Sequence, residues 1–216
     1  MTGPGPAPRQ PDVPAARLLL TLATAGAIAG LLIVVVFQRT QPTIQAYKAE
    51  QLRLAVFEVL GGPDRFDTLY VVGATLERQV PAGGSPESHE QVYAGYAGDR
   101  FVGYAISAGQ PGFQDMVRLI FGYDPARGTI IGMKVLESKE TPGLGDKIEK
   151  DSSFVAQFGN VTAPLVGIKS RDATGDPHEV DMITGATISS KTVINTINGA
   201  LARLGPLLAA RMAGVP

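Results

Sequence analysis

Two short segments of this chain combine hydroxylated, small and turn-forming residues in patterns that suit ligand chemistry. The first is Asp181-Met182-Ile183-Thr184-Gly185-Ala186-Thr187-Ile188-Ser189-Ser190-Lys191, a tight loop that opens a predicted helix. Val193, Ile194, Ile197, Leu201 and Leu204 give that helix an apolar face, and Thr187, Ser189 or Ser190 can cap it. A helix N-terminus carries unpaired N–H groups and partial positive charge, which favour a phosphate by about 0.3–1 kcal/mol at an exposed site. Gly185 and Ala186 leave room for a ligand or for close backbone approach. By residue type alone, a plain capped helix start fits the segment better than a phosphate site does, because helix starts rich in Ser and Thr are common. The second segment is Glu137-Ser138-Lys139-Glu140-Thr141-Pro142-Gly143-Leu144-Gly145-Asp146-Lys147, which directly follows an apolar strand. Pro142-Gly143 is a turn dipeptide, and Gly145 allows another unusual backbone angle. Such a loop presents backbone N–H groups and one apolar side chain, Leu144, to a flat ligand; a structural turn between solvated charges is the alternative.

Other candidates are weaker. Glu137, Glu140, Asp146, Glu149 and Asp151 are read as surface charge, because neither His nor Cys accompanies them and EF-hand spacing is absent. His89 and His178 are expected to be exposed and inert. The lack of cysteine excludes disulfides, thiolate metal sites, iron–sulfur clusters and thiol redox chemistry. With 19 Lys and Arg against 20 Asp and Glu, the net charge is −1, so no basic field points to nucleic acid.

The elements that must position these segments are legible in outline. Residues 1–16 are Pro-rich and are expected to form a disordered leader. Leu18 to Phe37 runs for 20 residues without a charge, enough as a helix to cross the roughly 30 Å apolar core of a bilayer. The apolar stretch is longer than a signal-peptide core, so residues 17–38 are expected to be an uncleaved anchor. Basic residues on both sides leave its orientation open. Thr40-Gln41-Pro42 is expected to start a separate linker helix, within residues 39–62, striped by Leu52, Ala55, Val56 and Val59. Residues 63–216 then form the domain. β-type runs occur at Leu69–Val72, Gln91–Tyr96, Phe101–Ala108, Val117–Tyr123, Thr129–Glu137 and Leu165–Lys169, with hairpins at Gly98-Asp99 and Asp124–Gly128. Residues 81–89 read as a surface loop. Helices are expected around 146–158 and 189–204, the second stopped by Gly205-Pro206. Strands without strict β–α alternation predict an α+β domain with a mainly antiparallel sheet.

Asp181-x-x-Thr184-Gly185-Ala186-Thr187 resembles the flavinylation motif of covalent FMN-binding domains, and Glu140-Thr141-Pro142-Gly143-Leu144-Gly145 resembles the second signature of the same family. Both motifs, in order and behind a single anchor, resemble the G subunits of the Rnf electron transport complex. The resemblance implies a subunit of an ion-translocating ferredoxin:NAD oxidoreductase that carries FMN but has no independent turnover. It implies a phosphoester from FMN to Thr187, made by an FMN transferase that takes FMN from FAD and reads Asp181, Thr184, Gly185 and Ala186. Ser189, Ser190 and Lys191 would then meet the phosphate, and Glu140, Thr141, Pro142, Gly143, Leu144 and Gly145 would border the isoalloxazine ring. The implied partners are the other Rnf subunits and the membrane. The implied location is the inner membrane, single-pass, with the domain on the periplasmic side. The family's glycine-rich middle segment is replaced here by Gln110-Pro111-Gly112-Phe113-Gln114-Asp115, so no flavin contact is assigned to that stretch. Two other readings share these motifs: a related carrier such as the C subunit of a sodium-pumping quinone reductase, and an anchored binding or assembly module that stays unflavinylated.

Overall fold

A computed structural model describes residues 14–80, 84–85 and 88–213. Most of the expected leader and much of the 81–89 loop lie outside the described residues, although Ala15 and Ala16 already belong to the first helix. That helix, α1 (Ala15–Val59), is a single element. Thr40-Gln41-Pro42 does not start a second helix; Pro42 lies inside α1, and Thr40 Oγ1 donates to Val36 O at 2.9 Å. Proline removes one helical hydrogen bond, and here the remaining ladder carries the helix across it. The chain divides into two compact units at Ala49 and Glu50. In the first, the described apolar side chains are exposed: Leu22 is 72% exposed and Ile33 69%. Length and composition make this stretch long and apolar enough to cross a membrane.

The second unit is α+β, as expected. A six-stranded antiparallel sheet is built from β1 (Arg65–Val72), β2 (Thr75–Glu77), β3 (Gln91–Ala97), β4 (Arg100–Pro111), β5 (Met116–Asp124) and β6 (Thr129–Glu137). Its strand order is β2-β1-β3-β4-β5-β6. Side chains alternate between faces along a strand, and both faces of this sheet are covered. One face carries Val92, Tyr104, Ile106, Leu119, Phe121 and Met133 beneath Val193, Ile197, Leu204 and Leu208 of α4 (Thr187–Ala213). The other carries Tyr93, Ala105 and Ile120 beneath Ala55, Val56 and Val59 at the end of α1. Burial on both faces explains why β5 reads as the unbroken apolar run Leu119-Ile120-Phe121 rather than as an alternation.

Glycine sets how closely α1 lies on the sheet. Gly122 and Gly132 are paired across β5 and β6, and a Cβ at Gly122 would fall 2.1 Å from the Val59 carbonyl oxygen. The C-terminal turn of α1 seats in that notch.

Several elements differ from expectation. The stretch around 146–158 is two short helices, α2 (Lys147–Lys150) and α3 (Ser152–Ala156), followed by a 3-10 turn at Gln157–Gly159. Asp151 divides them: it is extended, and its carboxylate caps α3 by accepting from Ser153 N at 3.0 Å and Phe154 N at 3.3 Å. β7 (Val166–Ile168) pairs in parallel with β8 (Glu179–Asp181), a strand the sequence did not reveal. α4 also continues through Gly205-Pro206 to Ala213. Leu204 and Leu208 are fully buried against the sheet on either side of the proline, and Arg211 donates to Leu76 O at 2.7 Å. That packing outweighs the roughly 3 kcal/mol cost of an interior proline.

Candidate functional site

The two chemistry-bearing segments meet. Each is a tight turn with glycine in third place. In Thr141-Pro142-Gly143-Leu144, Gly143 has φ +78° and Leu144 N donates to Thr141 O at 3.1 Å. In Ile183-Thr184-Gly185-Ala186, Gly185 has φ +84° and Ala186 N donates to Ile183 O at 3.0 Å. These are the signatures of type II turns, which need a positive φ at that place. The turns face each other, with Leu144 Cδ2 3.8 Å from where a Gly185 Cβ would lie.

Between them opens a cleft of about 350 Å³ lined by Phe113, Glu140, Thr141, Leu144, Gly145, Gly185, Ala186, Thr187, Ile188 and Ser189. Three of its apolar side chains are exposed: Phe113 at 65%, Ile188 at 55% and Leu144 at 50%. Thr187 is the first residue of α4, and the first helical bond runs from Ser190 N to Ala186 O at 2.9 Å. The N–H groups of Thr187, Ile188 and Ser189 therefore have no acceptor within the helix.

The hydroxyls at the helix start differ in what they do. Ser190 is buried; its Oγ donates to Ala186 O at 3.0 Å and accepts from Ile183 N at 3.1 Å, which closes the turn onto the helix. Ser189 is buried and donates to Glu140 Oε2 at 2.6 Å. Thr187 is half-buried on the cleft wall and, among the described residues, makes no side-chain hydrogen bond. Lys191 is exposed on the same turn.

Glu140 is not surface charge. It is 5% exposed and joins three parts of the site: Oε1 accepts from Phe113 N at 2.8 Å and Gln114 N at 3.1 Å, and Oε2 accepts from Ser189. Burial alone would push its carboxyl up, but the hydrogen bonds from Ser189, Gln114 and Phe113 outweigh burial and hold it below the ordinary carboxylate range. Gly145, by contrast with Gly143, does not take a positive φ. It is there for space: a Cβ would lie 2.6 Å from Glu140 Oε2 and 2.9 Å from Ser189 Oγ.

Other residues lie apart from the cleft. Asp181 sits in β8, where its backbone is gripped by Gln157: Asp181 N donates to Oε1 at 2.6 Å, and Asp181 O accepts from Nε2 at 3.1 Å. Its carboxylate accepts from Ser170 Oγ. Thr184, Pro142 and Gly143 are exposed on the outsides of the two turns. His178 is half-buried rather than exposed, its Nδ1 lying 3.0 Å from Pro164 O and 3.1 Å from Thr162 O. Sequence reasoning missed Phe113 and Ile188 as cleft residues. The signal for Phe113 was an aromatic side chain in the Gly- and Asp-bearing turn between β4 and β5, where core packing has no use for it.

Known proteins share this geometry's sequence. Residues 112–202, which contain every cleft residue, match the FMN-binding domain family. The G subunit of the ion-translocating oxidoreductase complex of Methanosarcina acetivorans is 31% identical, with 86% of this chain and 92% of that protein covered. The protein of the same name from Salmonella typhi is 34% identical, covering 84% and 86%. This chain belongs to the G-subunit family.

Solved structures agree on the fold. NqrC of Shewanella oneidensis superposes with a TM-score of 0.65 at 16% identity, covering 78% of this chain and all of that one. The C subunit of a Na(+)-translocating NADH-quinone reductase from Parabacteroides distasonis gives 0.54 at 20% identity, covering 65% and 76%. In this member of the G-subunit family, the FMN-binding region therefore runs from the β4–β5 turn through β5, β6, α2, α3, β7 and β8 and well into α4.

The cleft suits FMN on its own terms. Phe113, Leu144 and Ile188 offer apolar surface to a flat ring, and Gly185 adds no side chain opposite Leu144. The helix start supplies N–H groups and partial positive charge for a phosphate.

Proposed function

We propose that this chain is the membrane-anchored flavoprotein subunit that relays electrons within an ion-translocating ferredoxin:NAD oxidoreductase complex, with its FMN joined through phosphate to Thr187 Oγ1. Membership of the G-subunit family and the FMN-binding domain support the carrier role. The attachment rests on one observation: among the described residues, Thr187 is the helix-start hydroxyl that lines the cleft without a side-chain hydrogen bond, whereas Ser189 and Ser190 are both committed.

In attachment by an FMN transferase, Thr187 Oγ1 would form a bond to the FMN phosphorus of FAD. The pyrophosphate bond breaks, AMP leaves, and the hydroxyl proton passes to the departing side. Thr184 is exposed outside the cleft, where an enzyme approaching the loop can read it, whereas Asp181, half-buried and held by Gln157 and Ser170, fixes the loop that is read. When bound, the isoalloxazine ring would supply the electron uptake and release, in a chain that has no cysteine thiol to do so. The protein's part is to hold and shield. The first-turn N–H groups of α4 receive the phosphate, Lys191 offsets its charge from outside, and Phe113, Leu144 and Ile188 exclude water from the ring. Residues 17–38 anchor the protein in the inner membrane and 63–216 carry the flavin on the periplasmic side, where a covalent tether prevents its loss. The other members of the complex are its electron partners.

The test is intact mass of the chain co-expressed with an FMN transferase in a secretory host. The expected increase is one FMN less one water, mapped to the peptide holding Thr187 and absent from Thr187→Val. An unmodified wild-type mass, or a flavinylated Thr187→Val protein, overturns the attachment.

A further inference from the structure

The cleft contains a buried carboxylate with no ion-pair partner among the described residues. Glu140 lines it beside Ser189 and Leu144, and three donors converge on its two oxygens. No lysine or arginine forms an ion pair with it among the described residues; its neighbour Lys139 is taken up by Asp115 at 3.0 Å. Glycine backbone also packs closely against both Glu140 oxygens. A Cβ on Gly112 would lie 2.4 Å from Oε1, and one on Gly145 would lie 2.6 Å from Oε2. The charge is thus fixed, enclosed and partly desolvated, the condition in which a charge acts most strongly on its surroundings.

We propose that Glu140 lowers the midpoint potential of the flavin held in this cleft, in addition to tying the β4–β5 turn to the start of α4. The inference rests on the flavin reading above. Adding electrons to a ring beside a fixed negative charge is disfavoured, so the carboxylate favours the oxidised form. Glu140→Gln separates the charge from the tie. The amide oxygen still accepts from Phe113 and Gln114, and the amide nitrogen donates to Ser189 once that hydroxyl rotates. Ser189→Ala does the reverse: it leaves the charge and removes one donor that partly neutralises it.

The experiment is a redox titration of the full-length flavinylated chain in detergent, followed by flavin absorbance, with intact mass giving the flavin content. Glu140→Gln is expected to load normally and to shift the equilibrium at least tenfold toward reduced flavin, about 30 mV more positive for a two-electron couple. Ser189→Ala is expected to shift it the opposite way, and decides the matter alone if Glu140→Gln does not load. A loaded Glu140→Gln protein with unchanged midpoint, or both variants moving in one direction, overturns the proposal. A wild-type chain without flavin overturns the reading it rests on, and the proposal with it.

Discussion

At the residue scale, the site is organised around one carboxylate and the glycines that make room for it. Gly143 and Gly145 stand two residues apart and are needed for different reasons. Gly143 supplies a positive φ with open space around it, whereas Gly145 has an ordinary φ but abuts Glu140 and Ser189. Gly143→Ala should therefore cost about 1 kcal/mol through backbone strain. Gly145→Ala should cost about 1–3 kcal/mol through overpacking and should also reduce flavin loading. Thermal melts and flavin-to-protein ratios of the two variants check this. A pH dependence follows from Glu140. Its carboxyl titrates lower in the folded chain than in the unfolded one, so its stabilisation is fully present above the ordinary glutamate value of about 4.3 and is lost as pH falls through the folded value. Urea midpoints of wild type and Glu140→Gln should thus converge as pH drops from 7 to 3. A gap that stays constant would assign no linkage to this group.

At the element scale, packing decides where helices stop. Gly205-Pro206 is a sound stop signal, yet Leu204 and Leu208 both find the sheet and α4 runs on. Leu208→Ala should cost about 2–5 kcal/mol, as for other fully buried leucines, whereas changes at Met212, which is 37% exposed, should be nearly silent. The other face has its own control point. A Cβ at Gly122 meets backbone at Val59, which cannot rotate away, so Gly122→Ala should separate the end of α1 from β5 and lower the melting temperature by several degrees. Denaturation of the purified variant measures it.

At the scale of the whole molecule, the end of α1 belongs with the sheet. Ala55, Val56, Val59 and Leu60 are buried with Tyr93, Ala105 and Ile120, and the second compact unit begins at Glu50. A fragment starting at residue 50 should fold and unfold cooperatively without detergent. One starting at residue 63 should expose the apolar face of the sheet and aggregate. Size-exclusion profiles and melts of the two fragments test this; equal behaviour would show that α1 adds nothing to the core.

Local patterns in the sequence determined much of this protein. The uncharged run from Leu18 to Phe37, the hairpin turns with Gly98 and Gly128, five of the six strands of the main sheet and the two glycine turns each depend on residues close together in the chain. Those patterns also brought the FMN-binding family into view. Tertiary structure alone decided the rest. Glu140 is one of 20 acidic residues in the chain, and the approach of Ser189 and the 112–115 turn buries it. Phe113 enters the cleft because β4 and β5 carry their turn across to α4. α1 passes Pro42 and α4 passes Pro206, where a one-dimensional reading places a boundary. In each case the deciding partner is far away in sequence. Burial and hydrogen bonding are set by what the fold brings alongside a residue, which spacing along the chain does not encode.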